Sequence, residues 1–167
     1  MVRPAVLERF LKKHRTVGLD SSILIYFIEG NPRYGPLANR VFQWVEAGRI
    51  RGICSTLTLL EALVQPYRHG DDERASQFYG LLTTYPHLTW VPLSIDIADL
   101  GARLRATYRL KTPDSILMAT ALHSEATGFV ANDADLRRVT EMDVLVLGQS
   151  HSGRGAHPRV KRATISS

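Results

Sequence analysis

A chain of 167 residues with 44% hydrophobic and 22% charged side chains has the length of one domain and the composition of an ordinary globular protein. Its longest apolar runs, SSILIYFI and ILMATAL, are too short to cross a bilayer, and the start MVRPAVLERFLKKHR lacks the apolar centre and cleavage site of a secretory signal, so a cytoplasmic protein without membrane segments is expected. The net charge of +5 sits at the two ends, with Arg3, Arg9, Lys12, Lys13 and Arg15 in residues 1–16 and Arg154, Arg159, Lys161 and Arg162 in residues 149–167, around an acidic middle; this fits a polyanionic partner, or else plain solubility.

In chain order, residues 4–14 read as a helical segment, so that 1–16 forms a basic N-terminal extension. A strand follows over 16–19, then helices over 22–29 and 37–47, with Gly30 and Gly48 as their stops. The run 51–54 is a second strand, and Cys54 inside it is a small buried core residue, since a lone cysteine makes no internal disulfide. Ser55 caps the segment leading into a helix over 58–65, and Gly70 separates it from another over 72–84. A third strand over 88–91 precedes a helix over 95–108 capped by Ser94, and Thr112 caps a helix over 113–125 that Gly128 stops. Strands over 128–131 and 143–147 close the domain at about residue 148. The tail 149–167 combines Gly, Ser and Pro with basic residues, lacks apolar periodicity, and is expected to be flexible and to add phosphate contacts. Such alternation predicts an α/β fold with a central, mostly parallel five-stranded sheet covered by helices on both faces, whose active site lies beyond the carboxyl ends of the strands.

Four acids punctuate these elements: Asp20 in VGLDSSILIYF, Glu61 in STLTLLEAL, Asp114 in KTPDSILMATAL and Asp133 in GFVANDADL. Each has a local explanation. Asp20 or Ser21 serves as a helix cap, Glu61 as a solvent-facing position, Asp114 as an ordinary helix start, and Asp133 as a turn residue. Capping does not explain why all four fall at one sheet rim, where nearby carboxylates call for a shared cation, and hard oxygen ligands suit magnesium or manganese. Asp135 is an alternative to Asp133, or a cap for the segment after it, and Ser21 and Asn132 flank the principal acids as auxiliary groups. Arg103, Arg105, Arg109 and Lys111 lie just before the Asp114 segment and are candidate contacts for a phosphate backbone, or a solvated helix face. Tyr26, Phe27 and Tyr108 either stack on unpaired bases or belong to the core. No phosphate-binding GxxxxGK[ST], His-Glu-x-x-His or Gly-x-Ser-x-Gly occurs, which removes support from nucleotide-binding, zinc-hydrolase and serine-hydrolase readings.

The order and context of LDSSILIYF, TLLEAL, KTPDSILMATAL and ANDADL resemble the PIN domain, a family of metal-dependent ribonucleases that includes the VapC toxins of bacterial toxin-antitoxin systems; the similarity runs from about Val17 to Leu147. The resemblance implies a three-layer α/β/α sandwich in which Asp20, Glu61, Asp114 and Asp133 form the metal site, Asp20 being the central ligand. It also implies hydrolysis of RNA to a 5′-phosphate and a 3′-hydroxyl, a homodimer, and a cognate antitoxin that covers the acidic pocket and anchors in a groove over 25–42. An RNA-processing nuclease outside any toxin-antitoxin pair and a non-catalytic RNA- or protein-binding module are the alternatives. Two features depart from the pattern: Ala131 replaces the family's frequent Thr or Ser before Asn-Asp, and residues 4–14 precede the first strand.

Overall fold

The computed structural model describes residues 1–148, so the basic tail lies outside the described residues. Its elements are α1 (Pro4–Lys13), β1 (Thr16–Leu19), α2 (Ser21–Glu29), α3 (Gly35–Glu46), β2 (Arg51–Ser55), α4 (Thr56–Arg68), α5 (Asp72–Thr83), β3 (Leu88–Val91), α6 (Ile95–Tyr108), α7 (Thr112–His123), β4 (Gly128–Ala131), a short 3₁₀ turn (Ala134–Arg138) and β5 (Asp143–Val146).

The five strands form one sheet in the order β3-β2-β1-β4-β5, and every pairing is parallel, so the sheet is wholly rather than mostly parallel. The chain winds outward from β1 through β2 to β3, then crosses back to place β4 on the other side of β1. That reversal makes the carboxyl ends of β1 and β4 a topological switch point, where an open α/β sheet leaves a crevice.

Alternate strand residues feed two cores. Val17, Leu19, Val130 and Leu145 pack with α1, α2 and α3 on one face, while Phe129 and Ala131 pack with α6 and α7 on the other. Gly18 shows how closely α7 approaches: a Cβ there would stand 2.5 Å from Ala121 Cβ and 2.5 Å from the Phe129 ring. Gly18→Ala is therefore expected to destabilise the fold by about 1–3 kcal/mol or more through overpacking, read as a drop in the thermal unfolding midpoint.

The N-terminal helix is built into this core through Leu7, Phe10 and Leu11. The Val2 N–H donates to the Leu147 carbonyl at 2.8 Å, and the His14 ring bonds Thr127 Oγ1 at 2.8 Å and Asp143 Oδ2 at 3.0 Å.

Local expectations fail at three points. Thr112 is the first residue of α7 and not its cap; Lys111 occupies the cap position without a side-chain bond. Gly128 opens β4 instead of stopping α7, because the reversal falls on Glu125 at φ 62°, and the glycine makes room for His14, whose ring would lie 2.7 Å from a Cβ. The helix expected over 58–65 runs further in both directions, as α4 from Thr56 to Arg68, with Pro66 inside it. Ser55 and Ser94 do cap, accepting from Leu57 N and Ile97 N at 3.2 Å each. No helix among the described residues is long and apolar enough to cross a membrane.

Candidate functional site

Asp20 takes the residue after β1. Its N–H continues the β1–β4 ladder by donating to the Val130 carbonyl at 3.0 Å, which fixes the residue at the switch point. Although it occupies the N-cap position of α2, its side chain makes no cap bond. Instead Oδ2 accepts from the Ser22 hydroxyl at 2.6 Å, and the carboxylate also accepts from the backbone N–H groups of Ser21 and Asn132. With only 8% of its surface exposed, the carboxyl is pushed above its ordinary pKa, first by burial, partly offset by these hydrogen bonds, with the Glu61 charge raising it further.

Glu61 comes from α4, and the helix that carries it is tied to the Asp20 segment by a buried bond between Ser21 Oγ and Thr58 Oγ1 at 2.9 Å. Thr58 lies three residues before Glu61 and so on the same side of α4. Asp114 sits in the first turn of α7 and is half-buried; its carboxyl is pushed up to about 6, first by burial and then by the charges of Asp20 and Asp133, with Lys111 opposing the rise and Glu61 adding to it. Asp133, directly after β4 and Asn132, is half-buried and accepts from the Asp135 N–H at 2.9 Å, so it caps the 3₁₀ turn while also bearing on Asp114. Asp135 is exposed and turned to Arg138 at 3.1 Å.

The fold thus gathers the four acids at one rim around Asp114, which feels the charges of Asp20, Asp133 and Glu61, while Asp20 also feels Glu61. Among the described residues, no group of three or more His, Cys, Asp and Glu side chains is already arranged to hold a metal ion. The donor set itself suits a hard divalent cation. It offers only carboxylate oxygens, and a cation relieves the repulsion and desolvation that hold Asp114 near 6.

Of the auxiliary residues, Ser21 is committed to Thr58, while Asn132 lends its backbone N–H to Asp20 and donates its Nδ2 to the Tyr26 hydroxyl at 2.8 Å. Three supporting groups escaped the sequence reading: the Ser22 hydroxyl, the Thr58 hydroxyl and the Tyr26 hydroxyl. The double serine after Asp20 and a polar residue three before Glu61 in an apolar run were the available signals.

The candidate cations divide. Arg103 is paired with Asp99 at 3.0 Å on exposed helix surface. Arg105 and Arg109 line a groove of about 690 Å³ between α6 and α7 together with Thr112, and Lys111 acts on Asp114 directly. Phe27 stacks on Phe42 with centroids 4.2 Å apart, Tyr26 stacks on Tyr34 at 5.0 Å, and the Tyr108 hydroxyl donates to Glu141 at 2.7 Å, so all three aromatics serve the fold. Cys54 is fully buried, and burial pushes its thiol above the ordinary range, as suits a core residue.

Comparison with known proteins gives the same outline. The family model of the PIN domain matches residues 17–142. Three solved structures share the fold at low identity. A toxin-antitoxin complex from Klebsiella pneumoniae is 22% identical with a TM-score of 0.59, covering 78% of this chain and 96% of its own. VapBC2 from Rickettsia felis, bound to a DNA fragment from its promoter, is 14% identical with a TM-score of 0.60, covering 78% and 98%. DNA-bound VapBC from Salmonella typhimurium is 16% identical with a TM-score of 0.61, covering 79% and 97%. No curated protein matches the chain.

Proposed function

The chain belongs to the PIN domain family, whose members are generally nucleases, and from that membership and the acidic rim we propose that it is a divalent-metal-dependent endoribonuclease, the toxin of a toxin-antitoxin pair. The observation that carries the reading is the convergence of three acidic neighbours on Asp114 at the switch point of the sheet, where burial and those charges push its carboxyl up to about 6.

In this reading Asp20 is the central ligand, oriented by the Ser22 hydroxyl and by the backbone N–H groups of Ser21 and Asn132. Glu61, Asp114 and Asp133 complete the set. Bound magnesium or manganese supplies Lewis-acid stabilisation of phosphate charge and a water acidic enough to attack phosphorus. The protein's own part is to gather the carboxylates at one rim, where Asp114, pushed up to about 6, still gives up its proton at neutral pH, and to place the RNA strand. Lys111, Arg105 and Arg109 take backbone phosphates beside Asp114, while Arg103 is held by Asp99. The scissile bond is cut in line, leaving a 5′-phosphate and a 3′-hydroxyl, with no covalent enzyme intermediate.

The toxin assignment extends to this chain what the solved structures are named for. An antitoxin segment would set a lysine or arginine among the acids in place of the cation and anchor along 25–42, where Ile25, Tyr26, Phe27 and Ile28 are half-buried. A homodimer of such chains in the cytoplasm is part of the same proposal. Expression of the chain alone is expected to arrest bacterial growth, with growth restored by the product of an adjacent gene; growth unaffected by an active enzyme would favour an RNA-processing nuclease.

A further inference from the structure

At the opposite end of the sheet from the acids, the first residues of β1 and β2 and the turns beside them gather basic side chains. Arg15, Arg49, Arg51 and His87 line a cleft of about 460 Å³ together with Thr16 and Thr89. Three of the four are arginines, all four are exposed, and among the described residues none of the four forms an ion pair with an acid. Like charges kept this close repel one another, which favours capture of an anion by the same logic that makes the acidic rim call for a cation.

The cleft is built rather than incidental. The Arg51 N–H donates to the Arg15 carbonyl at 2.8 Å, so the two side chains rise from neighbouring strand starts. Arg51 Nε donates to Thr89 Oγ1 at 3.1 Å, which orients one guanidinium through a neutral hydroxyl and leaves its other N–H groups available. Arg49 lies over the Trp44 ring, 5.1 Å from its centroid. His87 adopts φ 58°, an uncommon backbone state for a residue with a side chain, and its ring covers Gly48, where a Cβ would come within 3.0 Å of it. Its carbonyl accepts from the Gly52 N–H at 3.0 Å, which ties the turn to β2.

We propose that this cleft is a second phosphate-binding site that grips the RNA backbone away from the cut, with Arg15, Arg49 and Arg51 as its cations. The choice of RNA rests on the nuclease reading. β2 runs from Arg51 to Ser55, the cap of the helix that carries Glu61, so the cleft and the acidic rim lie at least about 13 Å apart at 3.3 Å per residue. A strand that reaches both must extend beyond the nucleotides at the cut on one side, so affinity should grow with substrate length until that span is covered.

The test is binding of a long, unstructured RNA to the full-length chain carrying Asp20→Asn, in chelator, followed by fluorescence anisotropy across a range of salt. Because this measurement needs no turnover, it reads the cleft whether or not the acids form a nuclease site. Adding Arg49→Gln and Arg51→Gln is expected to weaken binding about tenfold and to flatten the slope of log affinity against log salt by about 1.4, for two single-strand phosphate contacts. Arg49→Lys with Arg51→Lys should keep most of that slope. A charge-matched pair elsewhere, Arg68→Gln with Arg74→Gln, should change both far less, and circular dichroism confirms that each variant is folded. Unchanged affinity and slope in the folded glutamine variant, or an equal loss from the control pair, would overturn the site.

Discussion

Replacing Asp20 or Asp114 by asparagine should lower RNA cleavage at least about 100-fold while the protein stays folded. The change keeps the shape of the side chain and removes one ligand charge from a site whose remaining groups stay in place. Loss of a group that merely supports a ligand already costs about 10–100-fold, so loss of a ligand should cost no less. Asp20 is the more sensitive position, because the Ser22 hydroxyl and two backbone N–H groups all converge on it. Steady-state cleavage of a labelled RNA in magnesium, with circular dichroism as the check on folding, measures the effect; undiminished cleavage by folded Asp20→Asn protein would remove these acids from the mechanism.

Stability should move the other way. The Asp114 carboxyl titrates at about 6 in the fold against an ordinary value of 3.8, so the native state binds this proton more tightly than the unfolded chain does. Above pH about 6 the ionised group therefore opposes folding, and the penalty is relieved as pH falls from about 6 towards 3.8. In metal-free protein, Asp114→Asn should raise the unfolding midpoint above pH about 6, by about 2–4 °C for each kcal/mol relieved, and the gain should vanish as pH approaches 3.8. A cost in the midpoint at neutral pH would show that Asp114 is a structural cap and not a strained ligand.

Most of the scaffold was legible because its signals are local. The short β-branched or apolar runs of β1, β3 and β4, the serine caps of α4 and α6, and the apolar spacing of α6 all act within a few residues, and the alternation of elements led to the parallel sheet. The acids were legible for a related reason: each interrupts or ends a run whose pattern is otherwise clear. What stayed hidden depends on contacts between distant parts of the chain. The bond from Ser21 to Thr58 spans 37 positions and that from Asn132 to Tyr26 spans 106, and no local period announces either. Gly128 was misread for the same cause, since the group that requires a glycine there is His14, which comes from the other end of the chain. Pro66 shows a local rule overridden, for a buried proline continues α4 where its chemistry favours a stop. The basic cleft escaped because Arg15, Arg49 and His87 meet only once the strand order is known.

The central claim is that the four acids act by holding a divalent cation. The most direct measurement is cleavage of RNA by the purified full-length chain, first in chelator and then with magnesium or manganese restored, with the chemistry of the new ends determined. The account predicts no cleavage in chelator, recovery with either ion, and products bearing 5′-phosphate and 3′-hydroxyl ends. Full cleavage in chelator, or products ending in a 2′,3′-cyclic phosphate, would contradict it.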